Sequence, residues 1–419
     1  MKKRIHIFGG GTLVHLANHF AIAAPAYGGT ARTLQRLCGE IWPQAETVME
    51  MTKMTGFRAP PAWMETVQDV ENRVKVLIRD PNTKVIFFNC AMADWYDPMT
   101  VNGRYGPRPS THTGSGLDLH LMPTPKVINL IRKERKDIFL IGFKSVSQTT
   151  GQEAYLAGLR LCKEASCNLV LVNDAATRRN MVVTPEEASY HDGIENRDEA
   201  LRGLVEMAKL RSHLTFTRST VIKGEPVPWD SAAVPSSLRT VVDHCRKAKA
   251  YKPFNGGGTV GHFAVKLAET KFLTSIRRSN FNDLDKVGLV LVETDGPDTV
   301  LAYGAKPSVG GQSQRKIFRD HVGFDCVVHF HCPMKPDAPD AIPVRSQREV
   351  ECGSFECGSN TSQGLAQFGS LKAVMLDQHG PNIIFPKSID PQEVIDFIER
   401  NFDLDKKTGG YQLPQAQES

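Results

Sequence analysis

What this sequence lacks narrows its class first. No apolar run approaches the roughly 18–20 residues of a membrane-spanning helix. The opening Met1-Lys2-Lys3-Arg4 leads into an apolar stretch too short for a signal-peptide core. None of the nine cysteines stands in a CxxC pair, and a chain of 419 residues needs no disulfide scaffold. A reducing, cytoplasmic interior is therefore the expected home. An excess of one charge is missing too. The 51 basic residues against 46 acidic ones leave +5 spread along the chain, which gives no argument for a nucleic-acid partner. With 41% hydrophobic and 23% charged residues, the composition suits a globular chain of two or three domains. No internal repeat stands out.

What is there begins with alternating strands and helices. Arg4-Ile5-His6-Ile7-Phe8 reads as a buried strand running into Gly9-Gly10-Gly11-Thr12. A strand ending in glycines before a helix brings backbone N–H groups to phosphate oxygens. The dinucleotide fingerprint GxGxxG is not met, because Val14 takes the third glycine position. A nicotinamide oxidoreductase is thus the weakest of the functional readings. His15, Asn18 and His19 follow, then Tyr27-Gly28-Gly29, which could close over a ligand or start a helix. Helices are predicted over 67–79, with Val67, Val70, Val74 and Leu77 on one face, and over 125–136 and 151–165. Continuous apolar strands are predicted over 84–90, 138–143 and 168–174. This rhythm gives an α/β fold with a doubly wound, Rossmann-like parallel sheet over 1–206. Ligands of such sheets sit beyond the carboxyl ends of the strands, where Asn89, Asp94, Lys144, Asn173 and Asp174 fall.

Residues 207–235 lose periodicity and read as a linker or extended crossover. An amphipathic helix over 237–249 then opens a second domain, 236–411. The polar segment from Lys406 onward reads as a mobile tail, 412–419 most of all. Within the second domain, Val327-Val328-His329-Phe330-His331-Cys332-Pro333 reads as a buried strand ending at proline. Strand side chains alternate, so His329 and His331 share a face, their Cα atoms roughly 6–7 Å apart. A further apolar run ends at His379-Gly380. Three neutral imidazoles with an open position form a usual catalytic zinc set, and His329, His331 and His379 are the candidate ligands.

Two resemblances attach to these motifs. Ala91-Met92-Ala93-Asp94-Trp95, Leu117 to Ile128 with Met122-Pro123-Thr124-Pro125, Ile141-Gly142-Phe143-Lys144 and Asn168 to Asp174 come in the order of phosphopantothenoylcysteine synthetase, the ligase of coenzyme A biosynthesis. That resemblance, over about 1–205, implies a nucleoside triphosphate, usually CTP, with Mg2+ and a carboxylate activated for attack by an amine. It implies that Gly9, Gly10, Gly11 and Thr12 hold phosphates, and that Asp94 lies near the nucleobase. Phe143, Asn173 and Asp174 would line the rest of the nucleotide or metal end, and Asn18 would lie near the acyl intermediate. Asn18, Arg108 and Lys144 are the candidate catalytic residues. The family's lysine-rich strap falls on Tyr105 to Ser110, where Arg108 is the single cation. Its Gly-Phe-Ala-Ala-Glu-Thr becomes Gly142-Phe143-Lys144-Ser145-Val146-Ser147, without the glutamate.

The stretch from about Ser236 to Tyr411 resembles the class II aldolase/adducin-head fold. Pro253 to Lys266 is similar to its glycine-rich phosphate loop and following strand, and Ala305-Lys306-Pro307-Ser308 to its second anion-binding element. The resemblance implies substrate phosphate at Asn255, Gly256, Gly257, Lys306 and Ser308, and zinc at the three histidines. The family's acid/base glutamate column falls on Gly310, and Gln312 and Gln314 nearby do not titrate. Glu351, Glu356 and Tyr303 are the remaining candidates for a base. Together the two resemblances imply a bifunctional enzyme of small phosphorylated or acidic metabolites, working as a homo-oligomer. The alternative is a binding or assembly protein built from two enzyme folds.

Overall fold

The computed structural model describes residues 4–17, 20–56, 64–96, 119–193, 196–216, 218–254, 257–296, 299–308 and 312–410. They form two compact units, one holding the chain to Pro185 and Ser189–Ser212, the other Glu186–Ala188 and the chain from His213. No helix among the described residues is long and apolar enough to cross a membrane.

The first unit runs β1 (Arg4–Gly11), β2 (Leu13–Ala17), β3 (Phe20–Ala23), α1 (Gly29–Ile41), β4 (Glu46–Met51), α2 (Val67–Arg79), β5 (Thr83–Ala91), β6 (Trp95–Tyr96), β7 (Met122–Pro123), α3 (Ile128–Glu134), β8 (Phe139–Val146), α4 (Gly151–Glu164), β9 (Leu169–Asp174), β10 (Asn180–Val183), β11 (Ser189–Tyr190) and α5 (Arg197–Arg211). Seven strands make one sheet in the order β11-β10-β9-β8-β5-β1-β4. From β4 to β9 all neighbours are parallel, and β10 and β11 add on antiparallel. The chain passes from β1 outward to β4, then back across to β5, so the strand order reverses between β1 and β5. Local chemistry sets the helix starts. Thr66 with Asp69 and Thr150 with Glu153 form capping boxes that open α2 and α4. Val67, Val70, Val74 and Leu77 of α2 are buried, as their spacing requires.

One buried charge organises this sheet. Glu50 of β4 accepts from His6 Nδ1 at 2.9 Å and from Arg73 Nε and Nη2 at 2.8 and 2.7 Å. Burial alone would raise its carboxyl, but the bonds from His6 and Arg73 hold it below the usual value.

The second unit runs β12 (Arg218–Ile222), α6 (Ser236–Lys247), β13 (His262–Lys266), β14 (Lys271–Ser275), α7 (Leu284–Val287), β15 (Leu289–Thr294), β16 (Thr299–Tyr303), α8 (Gln312–Asp320), β17 (Cys326–His329), β18 (Val344–Arg345), α9 (Phe355–Gly364), β19 (Ala366–Phe368), β20 (Leu371–Leu376), β21 (Gly380–Phe385) and α10 (Pro391–Asn401). Its mixed sheet has the order β12-β16-β15-β14-β13-β17-β21-β20-β18, with β19 also paired to β20. The strands from β16 to β20 pair antiparallel, while β12 and β18 join in parallel. Alternation divides the core. Phe263, Val265, Val328 and Phe385 pack with Leu238 and Val241 of α6 and Phe397 of α10. Ala264, Val327 and Ile384 face the other way, with Ile317 and Phe318 of α8. By the same alternation His262 and His329 fall on the α8 side.

The expected linker is corrected here. α5 continues to Arg211, and β12 lies inside 207–235 as a sheet strand paired to β16. Val227 bonds Leu289, and Trp229 is buried in the core. β12 is mostly exposed, so its sequence carries no apolar alternation to announce it. Arg73→Ala leaves Glu50 buried with His6 as its remaining ionisable partner. It should lower stability by about 3 kcal/mol in urea denaturation, well beyond the effect of removing the exposed Arg36–Glu40 pair.

Candidate functional site

In the second unit the three expected ligands meet. β17 ends at His329, and His331 lies two residues beyond the ladder rather than within a strand reaching Pro333. His379 sits in the tight turn between β20 and β21. Gly380 fixes that turn against the other two. Its φ is +133°, and a Cβ there would run into the carbonyl of Phe330, so only glycine fits. One nitrogen from each of His329, His331 and His379 lies within 4.8 Å of the others, and all three residues are buried. Their ring centroids are 4.7–5.0 Å apart in edge-to-face pairs.

His329 shows its tautomer. Nδ1 lies 2.7 Å from the carbonyl of Pro381, which can only accept, so Nδ1 carries the proton. Its Nε2 is buried without a hydrogen-bond partner among the described residues, and it bears the lone pair. A buried imidazole nitrogen left open in this way, beside two further imidazoles, fits a metal ion. Burial, and then His379, His262 and His331, push the His329 pKa well down, so the ring is neutral and competent as a ligand.

Two neighbours adjoin the cluster: His262, to which the sequence reading gave no role, and Gln314, read there only as a residue that does not titrate. His262 pairs with His329 across the β13–β17 ladder, and their rings lie 4.8 Å apart. Gln314 of α8 is fully buried. Its Nε2 donates to Thr274 Oγ1 at 2.9 Å and lies 3.0 Å from His262 Nδ1. Burial, then His379, lower the His262 pKa to about 3. The signal was a histidine opening the strand after the glycine loop. Arg277 and Arg278 were missed as well. The backbone N–H of Thr259 donates to the Ser279 carbonyl at 3.1 Å, and the backbone N–H of Arg277 to the Lys306 carbonyl at 2.9 Å. The turn after β14 thus lies between the Gly257 loop and the Lys306–Ser308 segment, with Lys306, Arg277 and Arg278 exposed around it. Gly261 lies so close to His329 that a Cβ would stand 2.5 Å from its carbonyl oxygen. Asn255, Gly256 and Gly310 lie outside the described residues.

The candidate bases come from two places in the unit, the end of β16 and the start of α9. Tyr303 donates to Glu293 at 3.1 Å on β16, four strand spacings from β17, or roughly 19 Å. Glu356 accepts from the Thr215 N–H at 3.0 Å in the first turn of α9. Glu351 lies in the turn before α9, its carbonyl accepting from Ser354.

In the first unit the glycines differ from the expected turn. Gly9, Gly10 and Gly11 all belong to β1, and the next helix starts only at Gly29. Close packing is the reason. A Cβ at Gly9 would stand 2.5 Å from Ala31 of α1, and one at Gly10, whose φ is +99°, would overlap the Thr52 hydroxyl. Thr12 is fully buried. Its hydroxyl donates to the Ala91 carbonyl and accepts from the Ala93 N–H, stitching β1 to β5 where the strand order reverses. Beside it lies a small cavity lined by Phe88, Ala93, Asp94, Thr124, Lys126 and Ile128. Asp94 is exposed and pairs with Lys126 at 2.5 Å, a cation the sequence reading passed over. Lys144 and Asn173 end β8 and β9 on the same edge, and Phe143 is half-buried. Asp174 is occupied. Five donors converge on its carboxylate, from Gln148, Thr149 (N–H and hydroxyl), Ala176 and Thr177. The Thr177 and Thr149 N–H groups hold its pKa well below the carboxylate range. Asn18 and Arg108 lie outside the described residues.

No family model matches the chain, and no curated protein matches it. Among solved structures, the DNA/pantothenate metabolism flavoprotein of Streptococcus pneumoniae is similar, at 16% identity over 49% of this chain and 98% of its own, with a TM-score of 0.40. A Cab2 variant in complex with phosphopantothenate-cysteine is 13% identical over 44% and 77%, with a TM-score of 0.36. L-fuculose 1-phosphate aldolase is 14% identical over 40% and 85%, with a TM-score of 0.30.

The depressed histidines set an acid limit. In the metal-free protein, the unfolded chain binds protons below about pH 6.5 that folded His262 and His329 refuse. Stability should therefore be full above that pH and fall toward pH 3, by about 1.4 kcal/mol per pH unit for each imidazole. Urea midpoints measured from pH 7 to pH 4 check this, and His262→Leu should remove one proton from the slope.

Proposed function

We propose that the second unit is a zinc site for a phosphorylated or acidic hydroxy-carbonyl metabolite, of the lyase or isomerase type. The supporting observation is the buried Nε2 of His329, without a hydrogen-bond partner among the described residues and with its tautomer fixed by Pro381, converging with His331 and His379. Three imidazole donors, with no carboxylate in the cluster among the described residues, suit zinc better than magnesium or calcium. A zinc ion held by these histidines supplies Lewis-acid polarisation of a substrate oxygen. Gly257, Lys306 and Ser308 bind the substrate's anionic end, and the exposed guanidinium groups of Arg277 and Arg278 add to its attraction. The first unit binds a nucleoside triphosphate with Mg2+ at the β1–β5 switch point, near Asp94, Lys126 and Lys144, for carboxylate–amine ligation.

A second reading has its own support. Forming an enediolate needs a base. Position 310 is glycine, Tyr303 stands four strands away, and His262 is too weakly basic near neutral pH. These features favour a metal-holding binding protein without turnover.

Metal content separates the readings. Purified protein should carry about one zinc per chain, and the His329→Ala/His331→Ala double variant none. Absence of metal from both, even after zinc is supplied, overturns the site. Turnover of phosphorylated hydroxy-ketones by the zinc form would exclude the binding-protein reading. For the first unit, calorimetric titration with CTP and Mg2+ should show binding that Asp94→Ala weakens about tenfold. Equal affinity in both proteins would remove Asp94 from the site.

A further inference from the structure

The segment after α10 reads in sequence as polar and mobile from Lys406 onward. Through Gly410 it is instead bound down beside the histidines. Thr408 donates its N–H to the carbonyl of His331 at 3.0 Å, and its hydroxyl to the carbonyl of His379 at 2.8 Å. The residue is 6% exposed. Anchors hold the segment on either side. Asp403 donates its N–H to the Pro333 carbonyl at 2.9 Å, Lys407 pairs with Glu187 at 2.5 Å, and the Gly410 N–H donates to the Glu187 carbonyl at 2.6 Å.

His331 lies past the end of β17, and His379 lies in a turn. Neither is held by the strand ladder that fixes His329. One residue therefore bonds the backbones of two ligands that come from different elements, and it does so with one main-chain and one side-chain donor. A β-branched side chain suits this task, because its χ1 has few alternatives.

We propose that Thr408 is a positioning residue that sets the separation of His331 and His379. The proposal rests on the metal reading of the three histidines. Thr408 touches neither the ring nitrogens nor a substrate; it acts through the backbones of the two ligands. Loss of its hydroxyl widens the set of His379 placements and weakens a tetrahedral site.

The test compares wild type, Thr408→Val and Thr408→Ser as full chains. Zinc affinity is read by competition with a chromophoric chelator, and coordination by the visible spectrum of the Co2+ form. Thr408→Val keeps the shape and the N–H bond to His331 but loses the bond to His379. Its zinc affinity should fall 10–100-fold, roughly as when outer-shell support of a ligand is removed, and the Co2+ spectrum should change. Thr408→Ser, which keeps the hydroxyl, should return both close to wild type. Wild-type affinity and spectrum in Thr408→Val overturn the proposal and leave the metal site standing. Failure of the wild type itself to bind zinc or cobalt overturns the metal reading, and this proposal with it. A thermal melt of each metal-free protein establishes folding. Should Thr408→Val not fold, Thr408→Ala is judged by the same affinity and spectrum.

Discussion

The histidine site depends on one hydrogen bond and the ladder that delivers it. Strands β13, β17 and β21 lie side by side, and β21 brings the Pro381 carbonyl to Nδ1 of His329. That carbonyl decides the tautomer, and the tautomer decides that the buried nitrogen offers a lone pair. Gly380, the residue before Pro381, is the point at which β21 can approach Phe330 at all. Ligand chemistry and backbone packing are thus one constraint, since a strand displaced at Gly380 would move His379 and release His329 together.

The first unit is built on a different constraint, close approach around a parallel sheet. The glycines of β1 let α1 and the segment after β4 press against the strand, and Thr12 closes the gap between β1 and β5. A glycine run at a strand end can serve a phosphate or a neighbouring helix, and at Gly9 and Gly10 the neighbours claim the space. Asp94, Lys126 and Lys144 are among the described polar residues that face outward. The buried Glu50 network, by contrast, is internal and saturated by His6 and Arg73.

Much of this was legible in the chain. Helix spacing in Val67, Val70, Val74 and Leu77 and the continuous apolar strands gave the parallel sheet nearly to its boundaries, because burial imposes those periods directly. The pair His329 and His331 was legible from alternation alone. Less visible were features with no period. β12 is a mostly exposed strand. Lys126 gains meaning only opposite Asp94, and the carboxylate of Asp174 accepts from backbone N–H groups and the Thr149 hydroxyl, which no motif announces.

By itself, then, the sequence determined the α/β character of both units, the start of α2 and α4 at their capping boxes, and the three histidines as candidates for one site. Residue type and spacing carry such information, because each depends on neighbours within one or two turns. Only the tertiary structure decided that the glycines of β1 pack closely against α1 and the segment after β4, that Tyr303 is four strands from β17, and that the His262 ring lies against His329. It also decided that Thr408, 77 positions after His331 and 29 after His379, bonds to both. Contacts between residues so far apart follow from strand order and packing, which no local stretch of chain encodes.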